Sequence, residues 1–199
     1  MPHPLSLAFL TLPDTPPAEV VQAAADAGFQ AVGLRLLPAA PGTEADYPLL
    51  SDDAVLVQTL SALRDTGLFV ADVEIVRLRE DFDPARFRPF LERAARLSAR
   101  HVLVAGDDRD PSRLTDSYAR FCEAALEFDL TADLEFMPWT AVPDLTEARR
   151  IIIHQDDHFY ARNTAMSCMD APIYGADGRI MAALDVSSAR SDQTEAFNR

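Results

Sequence analysis

The chain has 199 residues and a net charge of −14, and all 18 of its basic residues are arginine. This charge repels phosphate backbones and anionic lipid, which argues against nucleic acids and membranes as partners. The length allows one sizeable domain, or one domain with a small appendage.

The N-terminal segment and the cysteines predict a cytoplasmic protein. Residues 1–12 are apolar and have neither a basic leader nor a small-residue cleavage site, so they are predicted to form a first strand rather than a signal peptide. Cys122 and Cys168 lie far apart, and neither has a neighbour typical of a metal site. We interpret both as reduced core residues.

Helix starts and stops recur along the first 150 residues. Thr15 followed by Pro16 predicts the start of a first helix, and Gly28 predicts its end. Capping residues predict later helix starts at Ser51–Asp53, at Asp83, at Asp110 and at Asp144.

A β-rich run precedes or follows each of these helices. The predicted strands start near residues 5, 30, 69, 101 and 131, with spacings of 25, 39, 32 and 30 residues. A (β/α)₈ barrel needs about 31 residues per unit, so the spacing fits that fold. A doubly wound open sheet also alternates strands and helices and stays open as an alternative, but the first turn, residues 12–16, lacks the glycines of a dinucleotide fold. The long loop 38–48 is a candidate lid.

The pattern changes near residue 151. Two β-type runs, residues 165–173 and 179–188, flank a turn that contains Asp177 and Gly178, which predicts an antiparallel hairpin. A parallel barrel does not continue in this way. We therefore predict two parts, residues 1–150 and residues 151–199.

Two strand-like runs carry a carboxylate and resemble a known family. Residues 72–78 and 133–139, with residues 101–108 between them, are similar to sugar phosphate isomerases and epimerases of the xylose-isomerase-like TIM-barrel group. The resemblance covers residues 5 to about 150. It implies a partial (β/α)₈ barrel of about five βα units.

Residues from about 152 onwards resemble a different family, the C-terminal part of a GAF sensor domain from bacterial enhancer-binding transcription activators. This second resemblance implies a chimera that ends in an antiparallel hairpin and a short helix. The matching pieces are residues 158–163, 165–168, 171–174, 177–179 and 183–188.

The first resemblance gives Glu135 a chemical role. In that family a divalent metal (Mn, Mg, Co or Zn) is held by a Glu on the fifth strand and by Asp, His and Glu from later strands. Glu135 would then be a metal ligand and an acid/base group in proton transfer on a sugar or sugar phosphate through an enediolate. The other ligands would lie on later barrel strands, so we expect impaired activity. The residues alone allow another interpretation, a charge paired with a nearby arginine.

Other polar and aromatic residues near strand ends are candidates for substrate binding. Glu74 and Arg77 could contact substrate at the barrel mouth or pair with each other. Trp139 could line a sugar pocket or pack in the core. Asp107 and Asp108 are interpreted as caps of the following loop, with a functional role as the alternative.

His154 and His158 have the spacing of metal ligands on a helix. Their segment matches the GAF pattern, however, and that resemblance implies no metal role. Besides the isomerase, the sequence allows a small-molecule-sensing GAF-type regulatory fragment, or an inert product of a fusion. An exposed edge of the parallel sheet would also offer a route to homo-oligomers.

Overall fold

The protein is described here from a computed structural model. The structure describes residues 4–40, 42, 47–144 and 147–148, together with the backbone of two later strands, residues 167–174 and 180–188. In chain order the helices and strands are β1 (Ser6–Leu7), α1 (Pro17–Asp26), β2 (Ala31–Arg35), α2 (Pro48–Ser51), α3 (Asp53–Thr66), β3 (Phe69–Leu78), α4 (Arg88–Arg96), β4 (His101–Gly106), α5 (Pro111–Leu126), β5 (Thr131–Glu135), β6 (Ser167–Tyr174) and β7 (Ile180–Ser188).

The first five strands form one parallel sheet in the order β1-β2-β3-β4-β5. The spatial order is the same as the chain order, and it does not reverse as it does in a doubly wound sheet. The α/β architecture therefore matches part of a TIM barrel, and the doubly wound alternative is wrong.

One hydrophobic core joins the helices to a single face of this sheet. Val20, Leu56 and Phe121 from the helices pack in the same cluster as Val73 and Val104 from the strands. Burial of side chains of this size contributes about 1.5–3 kcal/mol each. We call the opposite face of the sheet, on which none of the described helices packs, the inner face.

Several helices start and end at the capping residues predicted from the sequence. The side chain of Asp83 accepts a hydrogen bond from the Ala85 N–H at the start of a 3₁₀ turn, and Asp110 accepts one from the Arg113 N–H at the start of α5. Gly28 and Gly67 have φ values of 84° and 74°, the left-handed conformation expected after a helix.

Two helices start where predicted but have a different capping residue. Thr15 does not cap α1: the N-cap is Pro16, and no side chain caps the helix. Residues 48–51 form the short helix α2, so Asp52 rather than Ser51 caps α3, through a 2.7 Å hydrogen bond from the Ala54 N–H. At the last predicted start, Asp144 accepts a hydrogen bond from the Glu147 N–H at 3.1 Å.

The strands are shorter than predicted at both ends of the sheet. β1 contains two residues and is followed by a 3₁₀ turn at Phe9–Thr11. β5 ends at Glu135, because the backbone N–H of Met137 donates to Val142 and that of Thr140 donates to Met137. These hydrogen bonds form a turn in place of the predicted continuous strand through residue 139.

β6 and β7 form a separate antiparallel sheet, in which Ser167 pairs with Ser188 and Tyr174 pairs with Ile180. The turn between them, residues 175–179, lies outside the described residues. Cys122 is half-buried. Within the described part of the chain, no helix is long and apolar enough to cross a membrane.

Gly106 is required by the close packing at the end of β4. A Cβ atom at this position would lie 2.5 Å from Val142 Cγ2 and 3.1 Å from Leu114 Cδ2. We expect Gly106→Ala to lower the free energy of unfolding by about 1–3 kcal/mol through overpacking, measured by urea denaturation.

Val142→Ala removes the nearest methyl group and provides the matched control. Gly106→Ala should lower the free energy of unfolding less in a Val142→Ala background than in the wild type, because the space for the added methyl group is then open. Equal costs in the two backgrounds would contradict this explanation.

Candidate active site

The carboxyl ends of the five parallel strands meet at one edge of the sheet, which we call the carboxyl edge. Strand alternation determines which side chains point inward there. Leu134 belongs to the core beneath the helices, so Glu135, the last residue of β5, points to the inner face. Its aligned neighbour Ala105 packs with Ile75 and Met137 in a small inner cluster.

A buried ion pair joins β2 to β3 on this face. Arg35, the last residue of β2, is aligned with Glu74, and its Nη2 atom lies 2.8 Å from Glu74 Oε2. Both residues are 7 % exposed. Burial raises the pKa of Glu74 above its ordinary value even though Arg35 acts in the opposite direction. Pairing therefore allows these two charged side chains to be buried in the sheet, where an unpaired charge would be unfavourable.

Two aromatic rings pack against the guanidinium group of Arg35. Its central carbon lies 4.5 Å from the centre of the Phe9 ring and 5.9 Å from that of Tyr47. These residues also line a cleft of about 430 Å³ between the first two βα loops, together with Asp14 and Thr15. Arg35 therefore both lines this cleft and bonds Glu74 on the inner face.

Glu135 is not part of the ion pairs that the described residues form at this edge. It is half-buried, and no group within the described residues forms a hydrogen bond or an ion pair with it. Burial raises its pKa above the ordinary value, and the nearby charge of Glu74 raises it further. The predicted alternative, a charge satisfied by a paired arginine, is not observed: Arg35 only partly offsets this shift.

Glu74 and Arg77 do not pair with each other. Arg77 Nη1 instead lies 2.6 Å from Asp107 Oδ2, just beyond β4. Each charged side chain is bonded across to a neighbouring strand, because adjacent strands lie about 4.8 Å apart whereas residues three apart along a strand are separated by about 10 Å.

Asp107 and Asp108 have different roles. Asp108 is 3 % exposed, accepts a hydrogen bond from the Asp110 N–H and forms an ion pair with Arg113, so it caps the loop as predicted. Hydrogen bonding to Arg113 lowers its pKa below the ordinary value. Asp107 instead pairs with Arg77.

Trp139 does not pack in the core. It lies in the turn that follows β5, and 75 % of its surface is exposed. The packing interpretation is therefore wrong, whereas a role in binding substrate stays a prediction.

The donor set of a complete metal centre is not present in the described residues, since they contain no group of three His, Cys, Asp or Glu side chains that could hold a metal ion. Glu135 and Glu74 are two carboxylates of which one is already paired with Arg35. His154 and His158, with the rest of residues 151–166, lie outside the described residues.

Sequence reasoning missed two residues of the inner face. Arg35 ends an otherwise apolar strand, which is the same signal that points to Glu135. Asp72 lies two residues before Glu74, and burial together with the charge of Glu74 raises its pKa to about 6.

Comparison with known proteins supports the fold. No family model matches the chain, and no curated protein matches it. Solved structures do match: a xylose isomerase domain-containing protein from Salmonella typhimurium is 14 % identical with a TM-score of 0.60, and the match covers 73 % of this chain and 54 % of that one.

Two further matches have the same type of fold. The D-allulose 3-epimerase from a Methylomonas species, solved with D-allulose, is 14 % identical with a TM-score of 0.56, covering 78 % of this chain and 59 % of that one. A xylose isomerase-like TIM barrel protein from Mycobacterium smegmatis, solved with magnesium, is 13 % identical with a TM-score of 0.53, covering 74 % and 60 %.

The parallel part of the chain therefore has a fold like that of xylose isomerase-like TIM barrels, as the first resemblance implied. The chain spans 54–60 % of the length of these three structures. At such low identity the likeness concerns the fold alone. None of these comparisons supports the predicted likeness to a GAF domain.

The Arg35–Glu74 pair gives a test of the site's architecture. We expect Arg35→Met to lower the free energy of unfolding by about 3–5 kcal/mol, because it leaves the Glu74 charge buried without its partner. Arg35→Met combined with Glu74→Gln should cost less than the sum of the two single changes, measured by urea denaturation.

Arg86 offers a matched control, because its pairs with Asp81 and Asp83 are exposed. Arg86→Met should change the stability by less than about 1 kcal/mol. Additive effects of the two changes in the buried pair would show that Arg35 and Glu74 do not depend on each other.

Proposed function

We propose that this chain is a sugar isomerase- or epimerase-type protein in which Glu135 transfers a proton at a carbon next to a carbonyl group. The observation that supports the proposal is the state of Glu135: an inward-facing carboxylate at the carboxyl edge, with a raised pKa and no hydrogen bond from any described residue. Barrels of this type carry their sites at that edge.

The raised pKa suits this chemistry. A carboxyl group works best as a general acid and base when its pKa lies near the working pH, because it can then both accept and release the proton. Burial and the charge of Glu74 move the pKa of Glu135 in that direction. Arg35 bonds Glu74 and opposes the rise of its pKa, so it is a positioning residue rather than a proton carrier.

The proposed substrate is a small sugar or sugar phosphate. The D-allulose 3-epimerase of similar fold was solved with its sugar bound. In this chain, Trp139 presents an exposed aromatic face beyond β5, and Arg77 lies at the same edge. Stacking of a sugar ring on Trp139 and hydrogen bonds from Arg77 would orient the substrate.

A divalent metal, if bound, would polarise the oxygens of the sugar next to the reacting carbon. The described residues do not make up a complete metal centre by themselves. The proton transfer itself is assigned to Glu135. The role of Glu135 as a metal ligand stays a prediction. The metal content of the purified wild type and of Glu135→Ala tests it: equal stoichiometric metal in both would remove that role.

We also propose that the chain divides near residue 151. The support is that, among the described strands, β6 and β7 pair with each other and form a sheet separate from β1–β5. A GAF-type sensor function for residues 151–199 has no such support, and we do not propose it. Association of copies through a sheet edge stays a prediction that sedimentation of the purified chain would test.

Exchange of substrate hydrogen with solvent tests the proposed reaction directly. With D-fructose or D-allulose in heavy water and added magnesium or manganese, NMR should show deuterium entering at the carbon next to the carbonyl. Exchange is detectable even where net conversion is slow. Glu135→Gln should lower the exchange rate by about 100-fold or more, since general acid–base catalysis supplies about 10²–10⁴-fold.

Glu127→Gln provides the matched control, because Glu127 is an exposed carboxylate at the opposite end of the βα unit, just after α5. It should retain the wild-type exchange rate. A wild-type rate in Glu135→Gln, with the variant folded by circular dichroism, would overturn the assignment.

A further inference from the structure

Asp72 lies on the inner face, in the middle of the sheet. It is aligned with Gly33 on β2 and with His101 on β4. Its carboxylate fills the space that a side chain at position 33 would need: a Cβ atom on Gly33 would lie 2.7 Å from Asp72 Oδ1 and 3.0 Å from Oδ2. The register of β2 with β3 shifts at this same point, between Val32 and Gly33.

The groups that face Asp72 are mostly carboxylates. Glu74 on its own strand, together with Asp133 and Glu135 on β5, disfavours a charge on Asp72, whereas His101 on β4 favours one. His101 is itself close to other groups of β5, since its Nδ1 atom lies 2.7 Å from Thr131 Oγ1 and 3.3 Å from Asp133 Oδ2. Arg35 on β2 is engaged by Glu74.

We propose that the contact between Gly33 and Asp72 is a pH-sensitive switch: the pairing of β2 with β3 is tight while the Asp72 carboxyl group is protonated, and it loosens when that group ionises. Burial without a full partner is what makes the ionised form costly here. The proposal does not depend on the proposed function.

The direction of the effect follows from the proton balance. In the unfolded chain an aspartate loses its proton near pH 3.8, whereas Asp72 in the folded chain has a pKa of about 6. Between these values the folded state holds a proton that the unfolded state has lost. The stabilisation is therefore complete below about pH 4, falls as the pH rises, and is gone above about pH 6.

Ionisation of Asp72 would also affect the ion pair at the carboxyl edge. Glu74 lies two residues along β3 from Asp72, and it holds Arg35 in place. A loosened β2–β3 pairing at Gly33 would shift this ion pair. The state of Asp72 is thereby coupled to the position of Arg35.

The test compares the intact chain with Asp72→Asn, a neutral variant of the same shape. The unfolding constants of the two proteins are measured by urea denaturation at pH 4.5 and pH 7.5. We expect their ratio to change by about 10- to 30-fold between the two pH values, with the wild type losing stability relative to the variant as the pH rises. Asp116→Asn, at an exposed position on α5, is the control and should show no such change. A wild-type pH profile in Asp72→Asn would overturn the proposal.

A direct titration covers the case in which the variant does not fold. The ¹³C signal of the Asp72 carboxyl group in the wild type should titrate with a midpoint near pH 6, and a midpoint near pH 4 would overturn the proposal. The contact itself is tested by Gly33→Ala, which should destabilise the wild type more than it destabilises Asp72→Ala. Equal effects would show that Asp72 does not occupy this space.

Discussion

The ion pair between Arg35 and Glu74 is the interaction on which the carboxyl edge depends. It joins two adjacent strands at the level where their side chains face inward, and both partners are almost completely buried. Taking two charges out of water costs several kcal/mol per ion unless each has good partners. Here Phe9 and Tyr47 cover the guanidinium while Glu74 neutralises it, so one arginine organises the ends of β1 and β2 and the centre of β3.

The two faces of the parallel sheet differ in chemistry. The described helices pack on the apolar face. Alternate strand residues on the helix side are valine and leucine, which pack in a continuous core. Their neighbours on the inner face include Asp72, Glu74, Asp133 and Glu135. A complete TIM barrel fills its interior with bulky branched side chains, so such a row of carboxylates is unusual for packing. Their presence at the centre of the sheet is more typical of a site than of a core.

Local signals predicted the fold well, because helix caps and strand runs act over a few residues. Asp83 and Asp110 cap helices as expected, and the spacing of the units predicted the parallel sheet. The site was harder to predict than the fold, because its contacts join residues 30–40 positions apart in the sequence. The partner of Arg77 depends on the register of β3 with β4, which shifts between Val73 and Val76. The partner of Glu74 depends on the register of β2 with β3, which shifts between Val32 and Gly33. Neither register can be read from one strand alone. The exposed side chain of Trp139 likewise follows from a backbone turn that the apolar run concealed.

The inner-face carboxylates are better regarded as one coupled group than as separate residues. Arg35 bonds Glu74, yet the charge of Glu74 still raises the pKa of both Glu135 and Asp72. Arg35 partly offsets the pKa shifts of Glu74 and Glu135, and His101 partly offsets that of Asp72. A proton taken up by any of these carboxylates lowers the cost of ionising the others. A substrate whose hydroxyl groups donate hydrogen bonds to Glu135 would stabilise the charge of Glu135. It would thereby favour protonation of Asp72 deeper in the sheet. Proton transfer at the carboxyl edge and the pairing of β2 with β3 would then respond to the same shared charge.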